Sequence, residues 1–334
     1  MLKGKIVWDQ HQDLVLQTKG SIIFDSGAEL VLNKDVSLYL KAGLEAEPAN
    51  DYLATVKFMG DTAQIKMKKE DSAVGMVNIY YNPVASAELK HKYHNPKAHT
   101  YSKYVNTGRL MTYMLVNDIY DLQNIEAFLA GSYALGKDID AHGTKAWNAG
   151  RGFKPIGIKD EKSGAEAPFC GNFDGNGHRI IGLFIDRPDE HYVGLFREIR
   201  GRNVLHNLAK NLELVNANIR GNHYVGTLAG SMLNCNLESV SINEIEVTGV
   251  DVVGGILGMS FRVDGKNLTV GEVTTVSATD GENMGILVGG AGESKFMVFC
   301  LGESVSRALL ESFGNRDDQT EVSVQSANKV VEVH

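Results

Sequence analysis

The feature of this sequence that most restricts its fold is a short phrase that occurs four times in the second half. Each copy places a glycine after a hydrophobic residue and before small and aliphatic residues. The copies are Val193–Phe196, Val225–Leu228, Val253–Ile256 and Met284–Leu287. Each copy follows the last by about 30 residues, and self-similarity with a period of about 20 to 50 residues is typical of stacked-repeat proteins. Gly194, Gly226, Gly254 and Gly285 are therefore predicted to be the structural repeat positions.

A second phrase follows nearly the same period. Asparagine precedes leucine at Asn207, Asn236 and Asn267. These copies are again about 30 residues apart, within the range expected for stacked repeats. Asparagines that stack between repeats can share side-chain hydrogen bonds. The spacing predicts an asparagine ladder.

The first forty residues have a shorter rhythm of alternating apolar pairs. The pairs are Ile6/Trp8, Leu14/Leu16, Ile22/Phe24, Leu30/Leu32 and Leu38/Leu40, each eight residues after the last. Alternation within a pair is the period of a half-buried strand. Three such arms make a turn of about 24 residues, close to one coil of a β-helix. A sandwich also has strands every 8–12 residues, but the constant step favours a solenoid.

Residues 84–110 break the pattern, being polar and rich in lysine, histidine and tyrosine. We predict a loop here. Aromatic side chains favour interfaces and sugar stacking. Tyr93, Tyr101 and Tyr104 are therefore the candidate binding residues.

A helix is predicted after this loop. Apolar residues at positions 119, 122, 125, 128 and 129 have helical spacing. Asn117 or Asp118 can cap the start of the helix.

Four stretches occur in an order that is similar to one family. They are Tyr133–Asp140, Phe153–Gly157, Phe173–His178 and Gly194–Phe196. The chain resembles filamentous-haemagglutinin-like adhesins of Gram-negative bacteria, the two-partner-secretion proteins with GLUG-type repeats. The resemblance implies an all-β, right-handed parallel β-helix, an outer-membrane transporter as export partner, attachment to a host surface glycan or protein, and no catalytic residues.

Composition excludes several other classes. Lysine and arginine number 33 against 41 acidic residues, a net charge of −8, which argues against nucleic-acid binding. The most apolar stretch, residues 286–301, contains Glu293 and Lys295 and is too short to span a membrane. The first residues lack the apolar core of a secretory signal, so we expect either a cytoplasmic protein or a segment of a longer exported one.

No cofactor or metal is predicted. Cys170, Cys235 and Cys300 are evenly spaced along the sequence and are expected to be small buried hydrophobes. His91, His94 and His99 have no neighbouring cysteine or carboxylate to complete a metal site.

Two alternative functions stay open. Parallel β-helices also house polysaccharide lyases and hydrolases, which need grouped acids. The candidates are Asp138 with Asp140, Asp174, and Asp186 with Asp189, although Asp174 also fits an Asp-Gly turn. The other alternative is an intracellular interaction protein that reuses the scaffold.

The predicted organisation has four parts. Residues 1–83 form N-terminal β-helix coils, and residues 84–131 form a loop with a short helix. Residues 132–300 form the GLUG-type repeat region, and residues 301–334 form a C-terminal cap or tail.

The C-terminal part has two patterns of its own. Apolar residues between Ser304 and Phe313 have helical spacing, so a capping helix is expected there. The residues from Glu321 onward are expected to form a strand or a frayed tail.

Overall fold

Strands dominate the protein. The computed structural model describes residues 1–33, 35–45, 54–68, 75–82, 101–106, 109–160, 165–201, 208–271, 275–280, 283–300, 318–326 and 329–333. The chain divides into two units, Met1–Lys137 and Asp138–His334. Both units are built mainly of parallel β-sheet, so the all-β class is confirmed.

The first unit contains three parallel sheets. Its strands are β1 (Lys5–Trp8), β2 (Leu14–Thr18), β3 (Ile22–Phe24), β4 (Glu29–Leu32), β5 (Leu38–Ala42), β6 (Val56–Phe58), β7 (Gln64–Met67), β8 (Val77–Tyr81), β9 (Val105–Asn106), β10 (Leu110–Val116) and β11 (Tyr133–Leu135). The sheet orders are β1-β4-β7-β9, β2-β5-β8-β10-β11 and β3-β6.

The eight-residue rhythm of the N-terminal segment is confirmed as strand spacing. Lys5 pairs with Glu29 and Leu14 pairs with Leu38, so the first two strands pair with the strands three steps of the rhythm later. The alternating leucines point inward, and Leu30, Leu32, Leu38 and Leu40 are all buried. Stacked aliphatic side chains from parallel strands therefore form the core of this unit.

Part of the segment 84–131 differs from the predicted loop and helix. Strands β9 and β10 lie within it and pair in parallel with β7 and β8. Four consecutive residues of β10, from Tyr113 to Val116, are buried. The polar composition of residues 84–110 hid these strands, because Val105 stands among polar residues and the mostly apolar run begins only at Leu110. Residues 83–100 lie outside the described part of the chain.

The predicted helix is confirmed, although it is shorter and tighter at its end. Helix α1 spans Ile119–Asn124 and continues as a 3₁₀ turn over Ile125–Phe128. The Asp118 side chain accepts hydrogen bonds from the main-chain N–H groups of Tyr120 and Asp121. Of the two residues predicted to cap the helix, Asp118 is therefore the N-cap.

The second unit repeats a pattern of long and short strands. Its strands are β12 (Ile139–Asp140), β13 (Ile158–Asp160), β14 (Ala165–Ala167), β15 (Phe173–Asp174), β16 (Arg179–Ile181), β17 (Phe184–Asp186), β18 (Phe196–Arg200), β19 (Leu208–Val215), β20 (Asn218–Arg220), β21 (His223–Val225), β22 (Ala229–Asn243), β23 (Glu246–Gly249), β24 (Asp251–Gly254), β25 (Leu257–Val270), β26 (Thr275–Ala278), β27 (Met284–Gly285), β28 (Val288–Gly292), β29 (Lys295–Cys300), β30 (Glu321–Ser326) and β31 (Lys329–Val333). A 3₁₀ segment covers His142–Gly150 and is kinked at Trp147, Asn148 and Ala149, which do not have helical φ and ψ angles.

Neighbouring parallel strands in the middle of the second unit pair with the same step. Asn218 pairs with Glu246, and Ala229 pairs with Leu257, which is the same offset along the sequence in both cases. The short strands form the orders β17-β20-β23-β26 and β21-β24-β27, while the long strands β19, β22 and β25 are neighbours. The side chains of Leu228 and Ile256 are fully buried.

Two strand pairs in the described part of this unit are antiparallel, namely β13 with β14 and β30 with β31. The helix expected between Ser304 and Phe313 lies outside the described residues, whereas the strand-forming tail predicted after Glu321 is present as β30 and β31. No helix in the described ranges is both long and apolar enough to cross a bilayer.

Candidate functional site

Tyr101 lies in the core of the first unit rather than on a contact surface. It is 4% exposed, and its hydroxyl donates a hydrogen bond to the Val56 carbonyl at 3.1 Å. The ring of Tyr81 packs edge-on against it at 5.5 Å. Burial raises the pKa of the Tyr101 hydroxyl to about 12. This placement corrects the prediction that Tyr101 belongs to a binding surface.

Tyr104 belongs to an aromatic stack. Its ring lies 4.4 Å from that of Phe58, which in turn stacks on Phe24 at 4.6 Å. The ammonium group of Lys103 lies over the outer part of the stack, 4.7 Å from the Tyr104 ring centre. Binding through the half-buried Tyr104 stays a prediction, and Tyr93 lies outside the described residues.

The glycine phrases of the second unit lie in register. Pairing joins Val193, Val225, Val253 and Met284 in successive strands. A Cβ on Gly254 would lie 1.9 Å from the Leu257 carbonyl oxygen and 2.6 Å from the Gly289 nitrogen. These distances are below any contact that a real side chain makes. The repeated glycine is therefore needed because neighbouring main chains approach closely.

The predicted asparagine ladder is wrong. Asn236 pairs with Leu208 and with Asp264, so it has no asparagine opposite it in either neighbouring strand. Asn267 lies beyond Asp264 in the same strand, is exposed, and adopts a left-handed conformation with φ of 53°. Asn207 lies outside the described residues. The asparagine phrase thus has a slightly longer step than the strand pairing and falls out of register with it.

The acidic residues considered for catalysis are held in other interactions. Asp138 accepts two hydrogen bonds from the Arg179 guanidinium, at 2.9 and 3.1 Å. Partial burial opposes ionisation of Asp138, but the bonds from Arg179 outweigh it and lower the pKa of this carboxyl. Asp140 pairs with the His142 ring at 2.7 Å, and this hydrogen bond lowers the pKa of Asp140.

Asp174 is a turn residue, as its Asp-Gly sequence suggested. The side chain is buried, accepts from the Asn176 N–H at 2.8 Å and from the Asn211 amide at 3.1 Å. Asp186 pairs with Arg220, and Asp189 pairs with Arg151. His91, His94 and His99 lie outside the described residues, within which no group of three or more ligating side chains is placed to hold a metal.

A groove of about 640 Å³ on the second unit is the best candidate binding site. It lies where the short strands β21 and β24 meet the long strand β25 and its neighbour β28. One wall carries Tyr224 and Val252, and the other carries Met259 and Phe261. This volume falls within the range of ordinary small-molecule sites. We call it the Tyr224–Phe261 groove.

Tyr224 continues a stack of aromatic rings that ends at the groove. Its ring lies 4.6 Å from that of Tyr192, nearly parallel to it. The next position in register is Val252, because His223 pairs with Asp251 and Val225 with Val253. The stack therefore gives way to a smaller side chain at the groove wall.

The opposite wall is opened by glycines. Met259 pairs with Gly290, and Phe261 pairs with Gly292. In the preceding strand the equivalent residues are Ser231 and Leu233. Since strand β28 has no side chain at either glycine, the space beside Met259 and Phe261 stays open between these strands.

The rim of the groove is polar. The Asn283 amide donates a hydrogen bond to the Asp251 carboxylate at 2.8 Å, and the His223 ring lies 3.9 Å from the other carboxylate oxygen. Asn283 lines the groove directly. A ligand would thus meet apolar walls and the Asn283 side chain, behind which Asp251 and His223 lie.

A second set of glycines was missed from the sequence. Gly230, Gly258 and Gly289 follow the phrase glycines by four residues, and a Cβ on each would lie 2.5 Å from main-chain atoms of Tyr192, Tyr224 and Val252, respectively. Those three residues have positive φ angles of 56°, 59° and 56°. The four-residue glycine spacing, visible at 226/230, 254/258 and 285/289, was the available signal.

The described cysteines differ in environment. Cys235 is 1% exposed, as expected, and its thiol donates to the Leu233 carbonyl at 3.0 Å, whereas Cys170 is half-buried. Burial raises the pKa of the Cys235 thiol to about 12.

We expect Cys235 to resist alkylation in the folded protein. In a variant with Cys170→Ser and Cys300→Ser, the pKa alone should slow the reaction with iodoacetamide at pH 8 about a thousandfold relative to denaturant. Mass spectrometry of timed samples measures both rates. Equal rates in buffer and in denaturant would contradict the burial of Cys235.

No family model matches the chain. The chain is similar to halomucin of Haloquadratum walsbyi, 38% identical over 143 residues, which are 42% of this chain and 2% of halomucin. It is also similar to a protein of Evansella cellulosilytica assigned as a Gly-rich membrane protein, 34% identical over 97 residues, 28% of this chain and 10% of that one.

Among solved structures, a protein of Bacteroides ovatus assigned as an immunoglobulin A1 protease aligns over 66% of this chain and 79% of its own, with 15% identity and a TM-score of 0.35. The segments aligned with this chain are a small part of the length of halomucin and of the Evansella cellulosilytica protein.

Proposed function

We propose that each unit winds as a right-handed parallel β-helix. In the first unit, consecutive strands β1, β2 and β3 enter three different sheets, and β4, β5 and β6 pair with the same three in the same order. In the second unit, the strands after β19 visit the short-strand sheets and return to the long-strand sheet at β22. Right-handed crossovers are the rule for parallel strands in one sheet.

On this scaffold, we propose a non-enzymatic role in attachment. The chain would be a segment of a larger adhesin-like surface protein that binds a host glycan or protein, exported through an outer-membrane transporter. The observation that carries the proposal is the in-register stacking of the four glycine phrases. Such stacking makes a rigid scaffold from residues that have no chemical reactivity.

Three further observations support the proposal. The Tyr224–Phe261 groove offers apolar walls and a polar rim without an arranged pair of acids among its lining residues. Asp138, Asp140 and Asp174 are engaged in ion pairs or a turn. The similarity to halomucin, of which this chain covers 2%, is compatible with a segment of a much larger protein.

The test is a binding and turnover screen on the purified chain. We expect binding to at least one member of a combined glycan and matrix-protein array, and no release of reducing or unsaturated sugar ends from polysaccharides. The chain unfolded by heat is the control. Sugar release that is lost in Asp140→Ala or Asp174→Ala would show an enzyme and overturn the proposal.

A further inference from the structure

We propose that the Tyr224–Phe261 groove binds one ring of a neutral saccharide against its aromatic walls. This assignment rests on the attachment function proposed above and names its ligand class. The proposed site lies in the second unit and does not include Tyr93, Tyr101 or Tyr104, the residues that the sequence analysis considers for binding.

The Tyr192–Tyr224 stack ends at the groove. Tyr192 covers one face of the Tyr224 ring at 4.6 Å. The next two positions in register are Val252 and Asn283, both of which line the groove. Within the described chain, no aromatic ring continues the stack, so the apolar face of a ligand ring can pack against Tyr224 beside the smaller Val252.

Strand β28 has glycines at two positions beside the groove. Gly290 and Gly292 face Met259 and Phe261 across the strand pairing. A larger residue at Gly292 would fill the space beside Phe261. Tyr224 and Phe261 line the same 640 Å³ groove, so a ring-shaped ligand in it contacts both aromatic side chains.

The groove also presents hydrogen-bonding groups, at Asn283 and the neighbouring Asp251. Asn283 lines the groove and gives one amide N–H to Asp251, which leaves the Asn283 carbonyl oxygen as an acceptor in the lining, with the Asp251 carboxylate directly behind it. Acceptors of this kind select a ligand with several hydroxyl donors. The Arg262 guanidinium, 4.9 Å from the Phe261 ring centre, is paired with Glu293. Since that pair is neutral, the negative charge of Asp251, within a chain of net charge −8, disfavours an acidic ligand.

An apolar peptide fits these groups less well. Its side chains would cover the rim without supplying donors, and a carboxylate that loses water without gaining a partner is costly. A neutral sugar presents an apolar face to Tyr224 and hydroxyl groups to Asp251 and Asn283. We therefore assign the saccharide, and binding of a peptide is an outcome of the test.

The experiment measures binding of neutral, acidic and amino-sugar oligosaccharides to the full chain by glycan array, followed by calorimetry on the best ligand. We expect a neutral oligosaccharide to bind, and Tyr224→Ala to weaken binding at least about tenfold. Gly292→Leu fills the groove from the opposite side and should weaken binding similarly. Tyr120→Ala, which removes an exposed tyrosine of the first unit, is the matched control.

The outcomes separate the two proposals. Saccharide binding that survives both Tyr224→Ala and Gly292→Leu would overturn the groove assignment and leave attachment standing. Binding only to proteins or to acidic glycans would overturn the ligand class and also leave attachment standing. No binding to any glycan or protein would overturn both. Circular dichroism confirms that each variant is folded, and the opposing positions of the two substitutions keep the result decisive.

Discussion

Gly254→Ala is expected to lower the free energy of unfolding of this protein by about 3 kcal/mol, a large effect for a single methyl group. The added Cβ would lie 1.9 Å from the Leu257 oxygen and 2.6 Å from the Gly289 nitrogen. Both atoms are main chain, so no rotamer change can relieve the overlap. The strands must move apart, which weakens the parallel hydrogen bonds on either side of β24.

Denaturant titration followed by circular dichroism measures this effect. Gly143→Ala is the matched control, because a Cβ at Gly143 would meet no atom within 4 Å and Gly143 has no positive φ. We expect the control to change the free energy of unfolding by less than about 0.5 kcal/mol. Equal stability of Gly254→Ala and Gly143→Ala would show that the glycine phrases do not pack as closely as described.

Glu190→Ala is the second substitution with a large expected effect. The carboxylate accepts a hydrogen bond from Arg187 at 2.7 Å and another from Arg151 at 2.8 Å, and it also binds Arg197. The side chains of Arg187 and Arg197 are only 8% and 12% exposed. Removal of Glu190 leaves two nearly buried guanidinium groups without their carboxylate, so we expect a loss of about 3 kcal/mol.

The pH dependence of this loss gives a second measurement. Burial raises the pKa of Glu190, but the hydrogen bonds from Arg197 and Arg187 outweigh it and hold the pKa below the ordinary value. A carboxyl group whose pKa is lower in the folded state stabilises fully above its unfolded pKa of about 4.3. That contribution disappears as the pH falls through the folded pKa. The stability difference between wild type and Glu190→Ala should therefore shrink below about pH 4.

Asp189→Ala is the control for this network. Its side chain is 66% exposed and pairs with the partly exposed Arg151, so we expect a change below about 1 kcal/mol. Chemical unfolding at several pH values between 3 and 7 compares the three proteins. A Glu190→Ala loss no larger than that of Asp189→Ala would contradict a role for Glu190 as the centre of a buried ion-pair network.

The sequence predicts the repeating parts of the fold because their spacing is set by the backbone. The eight-residue rhythm corresponds to strands that pair at every third step, and the glycine phrases lie in successive strands. The asparagine phrase misleads because the step from Asn236 to Asn267 is three residues longer than the pairing step that places Asn236 opposite Asp264. The pairing step is set by the turns between the strands, and the spacing of one phrase cannot show it.

The candidate site was harder to predict, and for a physical reason. Tyr101 lies in a polar segment, yet its burial is decided by contacts with Thr55 and Val56, which are distant in the sequence. The groove is open because Gly292, which pairs with Phe261, has no side chain. The two residues lie on different strands, so the pairing is known only from the structure. Composition shows neither the contacts of Tyr101 nor the pairing of Phe261 with Gly292.

The pairing of strands β18, β22 and β25 also bears on how such a chain can change in length. Ala229 pairs with both Phe196 and Leu257, so loss of residues 229–256 would place Leu257 opposite Phe196, one apolar residue in place of another. A deletion or duplication of that size keeps every inward side chain inward, whereas a change of one residue would reverse the faces of a strand. A repeat of this size can therefore be lost or gained without turning the buried face of the remaining strands toward solvent.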